Sequence, residues 1–174
     1  MRARVSATFL ERRTGATGIL RQELDQQSMN ELAQIHESRF TAVFVRPERR
    51  DRFEQQLSTG RGQKRTNKKG RKRAEILANL EHWVQFERVE EIPLNSRSVE
   101  AILQTLRAAG SPERCYVISE CEKLDAKLWL LEDIVKHLDE HAVFGTIISC
   151  EPGRLAYYSH CESEGLSFIL RPRK

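Results

Sequence analysis

Of the thirteen residues from Arg61 to Arg73, eight are cationic and none is acidic: Arg61, Lys64, Arg65, Lys68, Lys69, Arg71, Lys72 and Arg73. Such a run repels itself unless an anion neutralises it. Phosphate backbone is the usual one, because Lys and Arg release its condensed counterions. The run has no aromatic residue to stack on bases, so binding to nucleic acid or another polyanion is expected to be electrostatic and blind to sequence. With about five phosphate contacts, log K would fall with log salt at a slope near −4. A solvated loop that shields the acidic remainder of the chain accounts for the same residues, and a nuclear-localisation address also fits such a run.

A second group could support hydrolysis. Ser119-Glu120 and Ser149-Cys150-Glu151 each close an apolar run, and Arg154, Tyr158 and His160 follow shortly after. If the two runs are parallel neighbouring strands, their ends lie side by side. Glu120, Glu151 and His160 would then supply the carboxylates and imidazole of an acid/base site, with the basic run clamping a phosphodiester. Strand ends carry polar residues in any case, and Glu151-Pro-Gly-Arg154 is good turn chemistry by itself, so no catalytic residue is assigned.

Metal and cofactor chemistry find less support. His137 and His141 share a helix face at i, i+4, but Leu138 stands where an H-E-x-x-H glutamate belongs. Cys121, Cys150, His160 and Cys161 lack the short pair spacing of a structural zinc site. Gly60-Arg-Gly62 lacks the third glycine of a dinucleotide fingerprint, and no Walker lysine follows a G-x-x-x-x-G. Neither a metal nor a cofactor is expected. The four cysteines, Cys115, Cys121, Cys150 and Cys161, are read as reduced thiols, with structural packing as their default role.

The elements that would position these residues are clearest in the C-terminal half. Cys115–Ser119 reads as a buried strand, about 127–140 as an amphipathic helix with Leu131, Ile134, Val135 and Leu138 on one face, and Val143–Cys150 as a second apolar strand. Strand, helix and strand suggest a parallel βαβ crossover. Pro152 and Gly153 suit a type II turn that opens a hairpin of Leu155–Tyr158, and Leu166–Leu170 forms a last strand. Alternation puts Tyr157 and Tyr158 on opposite faces.

Upstream, Val99, Ile102, Leu103 and Leu106 mark a helix over 96–109, capped by Asn95 or Ser96 and closed by Gly110. Leu77, Leu80 and Val84 mark another over 74–86. Pro47 opens a helix carrying Phe53 and Leu57, and Arg39–Val45, rich in β-branched and aromatic residues, predicts a strand. A thin stripe of Leu20, Leu24, Leu32 and Ile35 predicts a helix over 19–35. Residues 1–18 form either a loose leader or a short strand near Val5–Phe9, and 58–73 a mobile basic loop.

At 174 residues the chain suffices for one domain, and no apolar run approaches the roughly 20 residues of a membrane span. The N-terminus has no sustained apolar stretch, so a cytoplasmic location is expected. The net charge of +4 conceals +8 over residues 61–73 and −9 over 74–170. The expected fold is α+β or α/β, with a mixed sheet built from the βαβ unit and hairpin of 115–170. The expected function is a binding or regulatory module whose basic loop contacts nucleic acid or another polyanion. The small hydrolase is the alternative, and a module whose acidic face docks a protein is the third reading.

Overall fold

The computed structural model describes residues 11–61, 63–64, 66–141, 143, 145–160 and 166–172, with backbone alone over 11–26. The chain divides into compact units at Leu32–Ala33, and every site discussed below lies in the unit from Ala33 onward. Five α-helices (α1 Glu11–Phe44, α2 Arg50–Gly60, α3 Lys68–Ala78, α4 Val99–Ala108, α5 Leu131–Glu140) accompany six strands among the described residues. The strands are β1 Val89–Glu91, β2 Arg114–Ser119, β3 Lys127–Leu130, β4 Thr146–Glu151, β5 Leu155–Ser159 and β6 Ser167–Leu170. They form one sheet in the order β1-β6-β5-β4-β2-β3. The fold is α+β.

Every strand pair is antiparallel, which corrects the expected mixed sheet and parallel βαβ crossover. β2 and β4 are neighbours as expected, with Tyr116 opposite Ser149 and Ser119 opposite Thr146, but they run in opposite directions. The reason lies in Lys127–Leu130. These residues do not begin the helix; they fold back on β2 as an edge strand, Cys115 opposite Trp129. That reversal lets α5 deliver the chain to the far edge of β2 running the other way. The hairpin is as expected: Arg154 N–H donates to the Glu151 carbonyl (3.0 Å), and Gly153 takes the left-handed φ of +70° that the turn demands.

The sheet is covered on both faces. On one, Ile102, Leu103 and Leu106 of α4 and Ile134 and Val135 of α5 pack on Cys115, Val117, Ile148, Tyr157 and Ile169. α4 starts at Ser98, whose hydroxyl accepts from Ala101 N–H (3.2 Å), and Gly110 follows its end with φ +91°. On the other face His36 of α1 stacks on Tyr116, and the Tyr158 hydroxyl donates to the Leu77 carbonyl of α3 (2.8 Å). Tyr157 and Tyr158 do face opposite ways, and both are core.

Three upstream expectations need correction. Arg39–Val45 is not a strand; its residues through Phe44 end α1, where Ala33, His36, Glu37, Phe40, Thr41 and Phe44 recur at helical spacing and are all buried. Three of those six are polar, so an apolar count overlooks the stripe and the β-branched composition misleads. Residues 11–18, Thr14–Gly18 included, continue the same helix, whereas the proposed strand near Val5–Phe9 lies outside the described residues. The basic stretch is not one loop either, since α2 runs to Gly60 and α3 begins at Lys68 rather than Ala74 and ends at Ala78. Its glycines permit close approach. A Cβ on Gly60 would stand 2.5 Å from the Arg73 Cβ, and one on Gly70 would stand 2.3 Å from the Lys64 carbonyl oxygen.

Candidate functional site

The basic stretch separates into two populations. Arg61 and Arg73 turn inward. Arg73, 2% exposed, donates from one terminal nitrogen to the Leu57 carbonyl (2.5 Å) and from the other to Asp125 Oδ1 (2.6 Å) and Glu37 Oε1 (3.3 Å). Arg61 grips Glu37 with both Nε (3.3 Å) and a terminal nitrogen (2.5 Å). Glu37 and Asp125 are themselves buried, and Asp125 Oδ1 also accepts Ser119 N–H (3.0 Å). Two guanidiniums and two carboxylates balance, so this cluster calls for no outside ion. Burial opposes the charged form of Arg61, but the hydrogen bond and charge of Glu37 outweigh it and hold its pKa above the usual value.

Beside the cluster, a 2.8 Å hydrogen bond links His36 Nδ1 to Ser149 Oγ, and the imidazole stacks on Tyr116 at 4.9 Å. Burial lowers the His36 pKa to about 4, so the ring is neutral at physiological pH. Burial, reinforced by the Glu37 charge, pushes the Tyr116 phenol up. Tyr116 Oη and Arg73 Nε have no hydrogen-bond partner among the described residues. Glu37, Asp125, His36 and Tyr116 belong to no motif in the sequence. Only the helical spacing of Glu37 with Ala33, Phe40 and Phe44 could have marked it as inward-facing.

The second population points to solvent. Lys64, Lys68, Lys69, Arg71 and Lys72 are exposed and take part in no ion pair among the described residues. Arg65 lies outside the described residues. Four of the five stand in the first two turns of α3, which has no acid in its first turn; Asn67 caps it by accepting Gly70 N–H (2.7 Å). Cations at this end of a helix oppose the macrodipole, whose positive pole is here. Fixed positive charge therefore accumulates on one anchored surface, with Arg73 and Gly70 holding the helix below it.

The hydrolytic constellation does not assemble. In the antiparallel sheet Ser119, Thr146 and Ser159 are in register, so Glu120 and His160 follow strand ends on the same side of the sheet. Glu151 closes the opposite end of β4, about 17 Å away at 3.4 Å per residue, and accepts a hydrogen bond from Arg154 (2.9 Å). His137 and His141 stack at 4.2 Å, with Trp129 beside His137. Cys150 lies in the α4/α5 core and Cys161 outside the described residues. No group of three or more His, Cys, Asp or Glu able to hold a metal occurs among the described residues. No helix there is long and apolar enough to cross a membrane.

No protein-family model, curated protein or solved structure matches this chain.

Proposed function

We propose that this protein binds polyanions, the phosphate backbone of nucleic acid foremost, through Lys64, Lys68, Lys69, Arg71 and Lys72. One observation carries the reading: five exposed cations that form no ion pair among the described residues lie at or just before the positive end of α3, while their neighbours Arg61 and Arg73 are neutralised inside. An anion placed there relieves both the mutual repulsion and the conflict with the helix dipole. With no aromatic residue in the stretch, affinity comes from counterion release and is indifferent to base sequence.

The test is binding of a labelled DNA duplex of arbitrary sequence across a salt series. The wild-type chain should lose affinity with a log–log slope near −4, roughly 200-fold between 50 and 200 mM salt. The K68A/K69A/R71A/K72A variant should bind far more weakly with a slope near −1, its fold intact by circular dichroism. Equal binding and slope for the two proteins would refute the proposal.

A further inference from the structure

The strand pairing also brings together two thiols that the polyanion reading does not use. One step along from the Tyr116–Ser149 pair, the antiparallel register sets Cys150 opposite Cys115. Both are free and buried, and both belong to the core under α4 and α5. Cys150 is the extra residue of a bulge: Ser149 pairs with Ala156 and Glu151 with Leu155, leaving it unmatched on the β5 side. A bulge re-aims the side chain it carries, and here both thiols face the same core, with Leu106, Leu131 and Ile148 around them. Facing residues of an antiparallel pair have Cα atoms about 4.5–5.5 Å apart, inside the roughly 4.4–6.8 Å window of a disulfide.

We propose that Cys115 and Cys150 are a reversible oxidation site that closes to an intramolecular cross-strand disulfide on exposure to a hydroperoxide. Cys115 is the attacking sulfur. The Ser111 hydroxyl lies 3.5 Å from its sulfur, and the neighbouring Cys150 thiol lowers its pKa against the cost of burial, whereas Cys115 and burial push the Cys150 thiol up. Cys115 is itself buried, but Ser111, in contact with its sulfur, lines with Pro112, Glu113, Leu131 and Arg107 a groove of about 510 Å³, so a small peroxide has only that one side chain to pass.

In the first step the Cys115 thiolate takes the distal oxygen of hydrogen peroxide; the O–O bond breaks and the departing hydroxide, with the thiol proton, leaves as water. In the second the Cys150 sulfur displaces hydroxide from the Cys115 sulfenic acid, which leaves with the Cys150 proton as a second water. Two electrons pass from the thiols to the peroxide.

The full-length protein is treated with a modest excess of hydrogen peroxide, denatured in the presence of N-ethylmaleimide without reductant, digested and mapped by mass spectrometry. The expected product is a peptide pair joined through Cys115 and Cys150, two hydrogens lighter than the reduced peptides. The melting midpoint of the oxidised protein should rise by on the order of 10 °C, because the link closes a loop spanning β3 and α5, and dithiothreitol should reverse the rise. Recovery of both cysteines as maleimide adducts, their appearance as sulfonic acids, or linkage of either to another cysteine would each overturn the proposal. None of these readings depends on a variant that must fold.

Discussion

His36 shows how a single buried side chain couples this fold to pH. Its imidazole is neutral in the folded chain with a pKa lowered to about 4, whereas an unfolded histidine titrates near 6.5. The unfolded chain therefore binds the extra proton between those values. His36 contributes its full share of stability above about pH 6.5 and loses it as the pH falls towards 4, a change of roughly 2–4 kcal/mol. His36→Gln can still meet Ser149 and cannot titrate. Urea unfolding at pH 7, 5.5 and 4.5 should show the gap between wild type and variant changing over this window in favour of the variant as pH falls. A gap independent of pH would contradict it. Little of this was legible beforehand: a lone histidine in a helix says nothing of burial until Tyr116 and Ser149 arrive from strands 80 and 113 residues away.

Among the elements, Arg73 is the residue through which α3 holds both α1 and the turn after β2. Its guanidinium reaches the end of α2 at Leu57, α1 at Glu37 and the β2–β3 connection at Asp125. Arg73→Met keeps the length of the side chain and removes the charge, leaving Asp125 without a cation and Glu37 with Arg61 alone. Losing one partner of a buried network costs about 3–5 kcal/mol, which a urea titration reads as a lowered midpoint. A loss under about 1 kcal/mol would mean the network is not a structural tie. Apart from β3, the helices and strands of the C-terminal half were legible because their apolar periodicity is strong: Ile102, Leu103 and Leu106 on α4, Ile134 and Val135 on α5, and the continuous runs of β2 and β4. Before residue 80 the helix after Pro47, with Phe53 and Leu57 inside, was legible too, but the last turns of α1 and the start of α3 were not, because their inner faces are built with His36, Glu37, Thr41 and Arg73. A polar residue at a core position looks like a surface residue until its partner is in place.

For the molecule as a whole, the separation of charge has a consequence for stability as well as for binding. Lys68, Lys69, Arg71 and Lys72 repel one another and stand at the wrong end of α3, so in the absence of a ligand they destabilise the fold. The K68A/K69A/R71A/K72A variant should melt a few degrees above wild type at low ionic strength, and the two curves should converge as salt is raised. A variant that melts lower at every salt concentration would show that these side chains are structural. Periodicity, turn chemistry and charge are local properties, and from them follow a fold of mixed helices and strands, the hairpin at Pro152-Gly153, the α4 and α5 helices and the concentration of cations at 61–73. The direction of β4 against β2, the inward turn of Arg61 and Arg73, and the meeting of Cys115 with Cys150 were decided by the tertiary structure alone. Each depends on which distant group occupies the neighbouring space, and no short stretch of chain encodes that.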